Sequence, residues 1–155
     1  MLFRSDFMQI RILGSAAGGG FPQWNCVCHN CEGLRRGTVQ ARPRTQAQIA
    51  FSPDGELWFL VGASPDLRAQ IVGTPELYPD PRNPGRSPLA GVFLPSADVD
   101  SVMGLLHLRE FQSFFIFCTA GLQRVLKSEN RIFKVLERAD PPVQWMLSCE
   151  RQRPR

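Results

Sequence analysis

With 155 residues, 43% of them hydrophobic and 21% charged, the chain has the size and apolar content of one ordinary folded domain, which excludes disorder as its main state. Eighteen Lys and Arg against fourteen Asp and Glu leave a net charge of only +4, too mild a basic excess for a dedicated nucleic-acid binder. No run approaches the ~20 consecutive apolar residues of a membrane-spanning helix, and the opening stretch carries Asp6 and no small-residue cleavage site, so a cytoplasmic protein is expected.

Met8 to Leu13 alternates apolar and polar side chains and meets Gly14, the pattern of a half-buried strand ending in a turn. The next segment, GSAAGGGFPQWNCVCHNC, has neither period and reads as a long, specific loop. Its glycines from Gly14 to Gly20 would let backbone amides approach a phosphate. No lysine follows as in a Walker loop and the GxGxxG spacing is absent, so tight turning beside a neighbouring loop is the expected role. Gln46–Phe51, the turn Pro53-Asp54-Gly55-Glu56 and Leu57–Val61 make a hairpin. Ser64 before Pro65 predicts a capped helix from Pro65 to Val72, with Arg68 either paired to Asp66 or facing an anionic substrate.

Between Gly73 and Pro88 lie five of the thirteen prolines, which forbids a helix or a central strand and leaves a loop or a mobile lid. Gly91–Leu94 is short and apolar on both faces, as in a buried central strand, and Pro95–Asp100 leaves its end, where ligands commonly bind. Further on, Val102–Leu108 reads as helix, with His107 as a core or surface residue, and Phe114–Cys118 as strand. Thr119 would cap a helix over 121–128, Phe133–Leu136 and Val143–Leu147 follow, and 151–155 form a frayed basic tail after one domain over 1–150.

Five cysteines are an odd count, and Cys26, Cys28 and Cys31 fall within six residues. In a reducing compartment such crowding favours metal over disulfides, and zinc first, since three thiolates on a compact loop suit a tetrahedral ion. His29, Cys118, Cys149 or a distant carboxylate could supply the fourth ligand, and a closed site of this kind would be structural. The alternative is three unligated thiols. Phe21, Pro22 and Trp24 are expected to pack this loop against the domain. Arg35, Arg36, Arg42 and Arg44 offer a basic surface, solvated or attractive to a glutamate-rich substrate.

The run LGSAAGGGFPQWNCVCHNC from Leu13 to Cys31 resembles the opening signature of the coenzyme PQQ synthesis protein B family. ARPRTQAQIAFSPDGELWFL, ASPDLRAQI, the run from Ala90 to Glu110, CTAGLQRVL and RIFKVLE resemble later blocks of that family in the same order. The resemblance implies an α/β, metallo-β-lactamase-like fold, of which this chain would carry the N-terminal half of an αββα sandwich. It also implies a part in making pyrroloquinoline quinone (PQQ), either by metal-dependent oxidation of the Glu-Tyr-derived precursor or by carrying PQQ or its precursor towards the periplasm. Other PQQ biosynthesis proteins are then expected partners.

Where the family closes a metal motif on an Asp-His pair, this chain reads Asp100-Ser101. Asp100, with Asp98, is left as the candidate catalytic position, and a second metal there, iron or zinc, would lack an imidazole partner. Later histidines of the family have no counterpart, and half a sandwich would expose a sheet face, so a homo-oligomer is expected. Two other readings stay open: a non-catalytic, zinc-stabilised binding module, and a metal-dependent phosphodiesterase of the same fold.

Overall fold

Runs of β-branched and aromatic residues divided by Gly and Pro turns dictate short strands, and the computed structural model, which describes residues 7–82, 85–110 and 112–148, joins them into one sheet. Its strands are β1 (Gln9–Gly14), β2 (Gln48–Ser52), β3 (Trp58–Val61), β4 (Leu89–Phe93), β5 (Phe115–Cys118) and β6 (Gln144–Leu147), hydrogen-bonded in chain order. The first three are antiparallel and each later pair is parallel.

Local chemistry accounts for the change of direction. Between β2 and β3, Asp54 Oδ1 accepts the Glu56 and Leu57 amides at 2.9 Å each and Gly55 takes φ 79°, so the chain reverses at once into an antiparallel partner. Parallel neighbours need longer crossovers. Helix α2 (Leu67–Val72) and a 3-10 turn at Pro75–Leu77 return the chain to β4. Helix α3 (Val99–Val102) with a 3-10 stretch at Met103–Leu108 leads to β5. Helix α4 (Ala120–Arg124), continued through a π turn and a 3-10 stretch to Arg138, leads to β6. The remaining helix, α1 (His29–Arg36), follows the glycine- and cysteine-rich loop.

These crossovers all contribute to one core. Ala50, Trp58, Leu60, Val92 and Ile116 point from the sheet into Leu67, Leu77, Val102, Leu105, Leu126, Phe133 and Leu136. Strand alternation and register put Ile10, Ile12, Ile49, Phe51, Phe59, Val61, Phe93, Phe115, Phe117 and Met146 on the other face. Their rings form a row across the sheet, with Phe93 and Phe117 stacked at a 4.3 Å centroid separation and Phe51 and Phe59 at 5.5 Å. No described element covers them, and Ile12 remains 75% exposed and Phe93 37%.

A buried polar chain fixes the strand ends near the glycine loop. Gln48 Nε2 donates to the Val61 and Gly62 carbonyls at 3.0 Å, and its Oε1 accepts the Ser64 amide at 2.9 Å. The Ser64 hydroxyl donates to Gln70 Oε1 at 2.9 Å, and Gln70 Nε2 donates to Thr45 Oγ1 and the Gln46 carbonyl.

The expected order of strands and helices agrees with this fold, with several differences, one being that Val102–Leu108, expected as helix, is from Met103 onward a 3-10 stretch following α3, which itself begins at Val99. The segment 14–31 is not loop throughout, because α1 begins at His29 and takes Cys31 into its first turn. Ser64 does not cap α2 with its side chain: Asp66 occupies the cap position, and the Ser64 hydroxyl is engaged by Gln70. Asp66 Oδ2 accepts the Gln46 amide at 2.9 Å in place of an ion pair with Arg68. The proline-rich segment is a loop, as one of the two expected readings has it, anchored by buried Leu77 and by Ser87 bonded to Gln112. By contrast Thr119 does cap α4, accepting the Leu122 amide at 3.2 Å. The tail at 151–155 lies outside the described residues.

Candidate metal centre

Three sulfurs meet where the cysteine loop enters α1. Cys31 is buried on the helix, Cys28 stands at its N-cap position, and Cys26 sits two residues earlier, with all three Sγ atoms within 4.8 Å of one another. Among the described residues this is the only group of three or more metal-ligating side chains so gathered. The Cys31 backbone amide, aided by the Cys26 and Cys31 side chains, holds the Cys28 thiol down at about 7. Cys31 has a hydrogen bond from the Gln23 backbone that favours its thiolate, but burial and the neighbouring Cys28 and Cys26 raise it above the ordinary thiol value. An exposed low-pKa thiol beside two others is a donor set that suits a soft divalent ion such as zinc.

Among the described residues no fourth ligand joins the three sulfurs. Cys118 is buried in β5, inside the core cluster and outside the sulfur group. His29 is exposed and does not join the sulfurs, and Cys149 lies outside the described residues. Trp24 does not pack the loop, being 83% exposed. The loop is held instead by backbone, with Phe21 and Arg44 exchanging hydrogen bonds at 2.8 Å. The basic residues are also partly committed: Arg44 Nη1 donates to Ser15 Oγ at 3.1 Å, Arg36 pairs with Glu32 at 2.7 Å, and Arg35 donates to the loop carbonyls of Cys26 and Gln23.

The loop after β4 is arranged differently. Ser96 Oγ lies 2.8 Å from Asp98 Oδ2 and 3.1 Å from Ser101 Oγ, so these three side chains satisfy one another. Asp100 turns towards the glycine loop, where a Cβ on Gly18 would stand 2.6 Å from its Oδ2. Gly18 therefore provides the close approach between loops that its residue type permits. Asp98 and Asp100 are not gathered with a third ligand among the described residues. His107 sits in the 3-10 stretch with Nε2 3.3 Å from the Pro65 carbonyl oxygen. Ser96 carries no signal as an isolated serine; only its distances to Asp98 and Ser101 show the closed cluster.

Residues 57–150 match the family model of the beta-lactamase superfamily domain. Coenzyme PQQ synthesis protein B from Methylobacterium sp. (strain 4-46) is 52% identical over 129 residues, covering 83% of this chain and 42% of that protein. The namesake from Pseudomonas aeruginosa (strain UCBPP-PA14) is 50% identical over the same shares. Among solved structures, Zn(2+)-bound PqqB from Methylobacterium extorquens superposes with a TM-score of 0.83 at 45% identity, covering 92% of this chain and 50% of that one. The chain belongs to the coenzyme PQQ synthesis protein B family of the beta-lactamase superfamily.

The chain spans less than half the length of the curated PQQ synthesis B relatives reported above. A diphosphatase of the PhnP family shares the fold, with a TM-score of 0.66 at 16% identity. Among the described residues no helix is long and apolar enough to cross a membrane.

Proposed function

We propose that this PQQ synthesis B chain serves PQQ biosynthesis as a zinc-stabilised module that handles the Glu-Tyr-derived precursor, with Cys26, Cys28 and Cys31 holding a structural zinc and with no turnover at the Asp98–Asp100 loop. Convergence of three thiols at one helix start carries the zinc half of this reading. Bound there, zinc would tie the loop to α1 and supply folding energy.

The second half rests on Ser96, Asp98 and Ser101. A serine hydroxyl is a poor ligand beside a neutral imidazole, and here the Ser101 hydroxyl is bonded to Ser96 Oγ, which in turn bonds Asp98. Asp98 thereby has a neutral partner, and Asp100 faces Gly18. The uncovered apolar sheet face supports an associated state, either a homo-oligomer or a complex with other PQQ biosynthesis proteins.

Elemental analysis of protein purified without chelator tests this reading, alongside a Cys26→Ser/Cys28→Ser variant. One zinc per chain is expected, lost in the variant and unaccompanied by iron. A second equivalent of iron or zinc that survives the cysteine changes would overturn the non-catalytic assignment and restore a metal-dependent oxidation at Asp98 and Asp100.

A further inference from the structure

We infer that Arg35 is the positioning residue of the cysteine centre, its guanidinium bracketing the 23–26 turn and so holding Cys26 where Cys28 and Cys31 can meet it. This rests on reading the three cysteines as a metal site, and it concerns what brings them together.

The three thiols stand on unlike supports. Cys31 is buried on α1, whose end is closed by Gly37 at φ 73° and by the Thr38 amide bonded to the Gly33 carbonyl at 2.8 Å. Cys28 is tied to that helix through its carbonyl, which accepts the Glu32 amide at 2.9 Å. Cys26 has no backbone bond to the helix, and only its sulfur reaches the helix start, accepting the Cys28 amide at 3.5 Å. Its nearest large apolar neighbours in sequence, Trp24 and Val27, are exposed and bury nothing to anchor it. Its amide closes a turn onto the Gln23 carbonyl at 3.1 Å, and the Gln23 backbone bonds the Cys31 thiol, which leaves the Cys26 end of the turn the less held; a turn on a surface loop opens readily.

Arg35 closes both ends of that turn. Nη1 donates to the Cys26 carbonyl at 2.6 Å, and Nη2 donates to the Gln23 carbonyl. Because Arg35 is four residues beyond Cys31, it rises from the same helix face as that ligand. One short helix therefore presents both the buried thiol and the fork that fixes the loop carrying the first thiol. The fork matters because a planar guanidinium can satisfy two carbonyls at a set spacing, and an ammonium cannot do so rigidly. Its charge also lies beside a site that becomes anionic when three thiolates bind a dication. Arg36, one residue on, pairs with Glu32 and does neither.

The test uses the full chain and Co(II) as an optical probe, with zinc affinity obtained by competition against a chromophoric chelator. Arg35→Ala, Arg35→Lys and Arg36→Ala are compared with wild type, and far-UV circular dichroism of the metal-free forms checks the fold. Arg35→Ala is expected to weaken zinc binding by about 10- to 100-fold and to alter the thiolate-to-cobalt bands, as loss of a ligand's supporting partner does. Arg35→Lys should fall between, retaining charge without the fork, and Arg36→Ala should match wild type. Should Arg35→Ala misfold, Arg35→Lys alone decides, since wild-type affinity and spectrum in that variant would overturn the role of the fork. Unchanged binding in a folded Arg35→Ala overturns the inference while leaving the metal site standing. Absence of thiolate-to-cobalt bands in wild type overturns the metal site and Arg35's role with it.

Discussion

A thiol at the mouth of a helix differs in reactivity from one in a core, and this chain carries both. In metal-free protein Cys28, held at about 7 chiefly by the Cys31 amide, is half thiolate near neutrality, whereas burial pushes Cys118 up. Iodoacetamide should therefore modify Cys28 with a pH midpoint near 7, with Cys31 lagging and Cys118 silent until unfolding, as peptide mass spectrometry would show. Zinc should protect Cys26, Cys28 and Cys31 together. Asp54 offers a second residue-scale test. The Leu57 and Glu56 amides hold its carboxyl below the ordinary carboxylate value. Its contribution is thus complete above the unfolded value near pH 4 and drains away as pH falls through the lower folded one. Asp54→Ala should cost about 1 kcal/mol in urea unfolding at pH 7, the usual net worth of such hydrogen bonds, and progressively less below pH 4.

At the scale of elements, the polar chain of Gln48, Ser64 and Gln70 joins the β2 and β3 ends to α2. Gln70→Ala would strip Ser64 Oγ and the Gln46 carbonyl of buried partners, and about 2–3 kcal/mol of stability should be lost by urea or thermal unfolding. Little of this chain is legible from sequence, because every bond in it spans six residues or more. Strands and the hairpin were legible since their signals are local: alternation in Ile10–Leu13, Pro and Gly at the turn, Thr119 ahead of α4. The start of α1 was not, because Cys28 replaces the usual Ser, Thr, Asp or Asn at the cap, without a side-chain bond. The same limit applies at the site. Clustered cysteines announce themselves by spacing, but Arg35 reaches back nine and twelve residues to carbonyls that any residue could have supplied.

At the scale of the whole molecule, the row of phenylalanines on the sheet face that no described element covers is the dominant feature. A contiguous apolar surface of this kind drives association. The protein should sediment above its monomer mass at micromolar concentration. Phe93→Lys with Phe115→Lys should shift it towards the monomer with an unchanged far-UV spectrum, since both side chains lie off the core. A wild-type protein that is monomeric at every concentration would contradict the association reading.

Strand order has a consequence for how the molecule comes into being. Because β1 to β6 are neighbours in the order they are encoded, no strand must be threaded between two already paired ones. As the chain leaves the ribosome, each new strand can dock on the edge left by its predecessor, so the strand order permits the sheet to grow without rearrangement. The greasy face widens in step with it, so a nascent-chain chaperone would meet a larger target with every strand added.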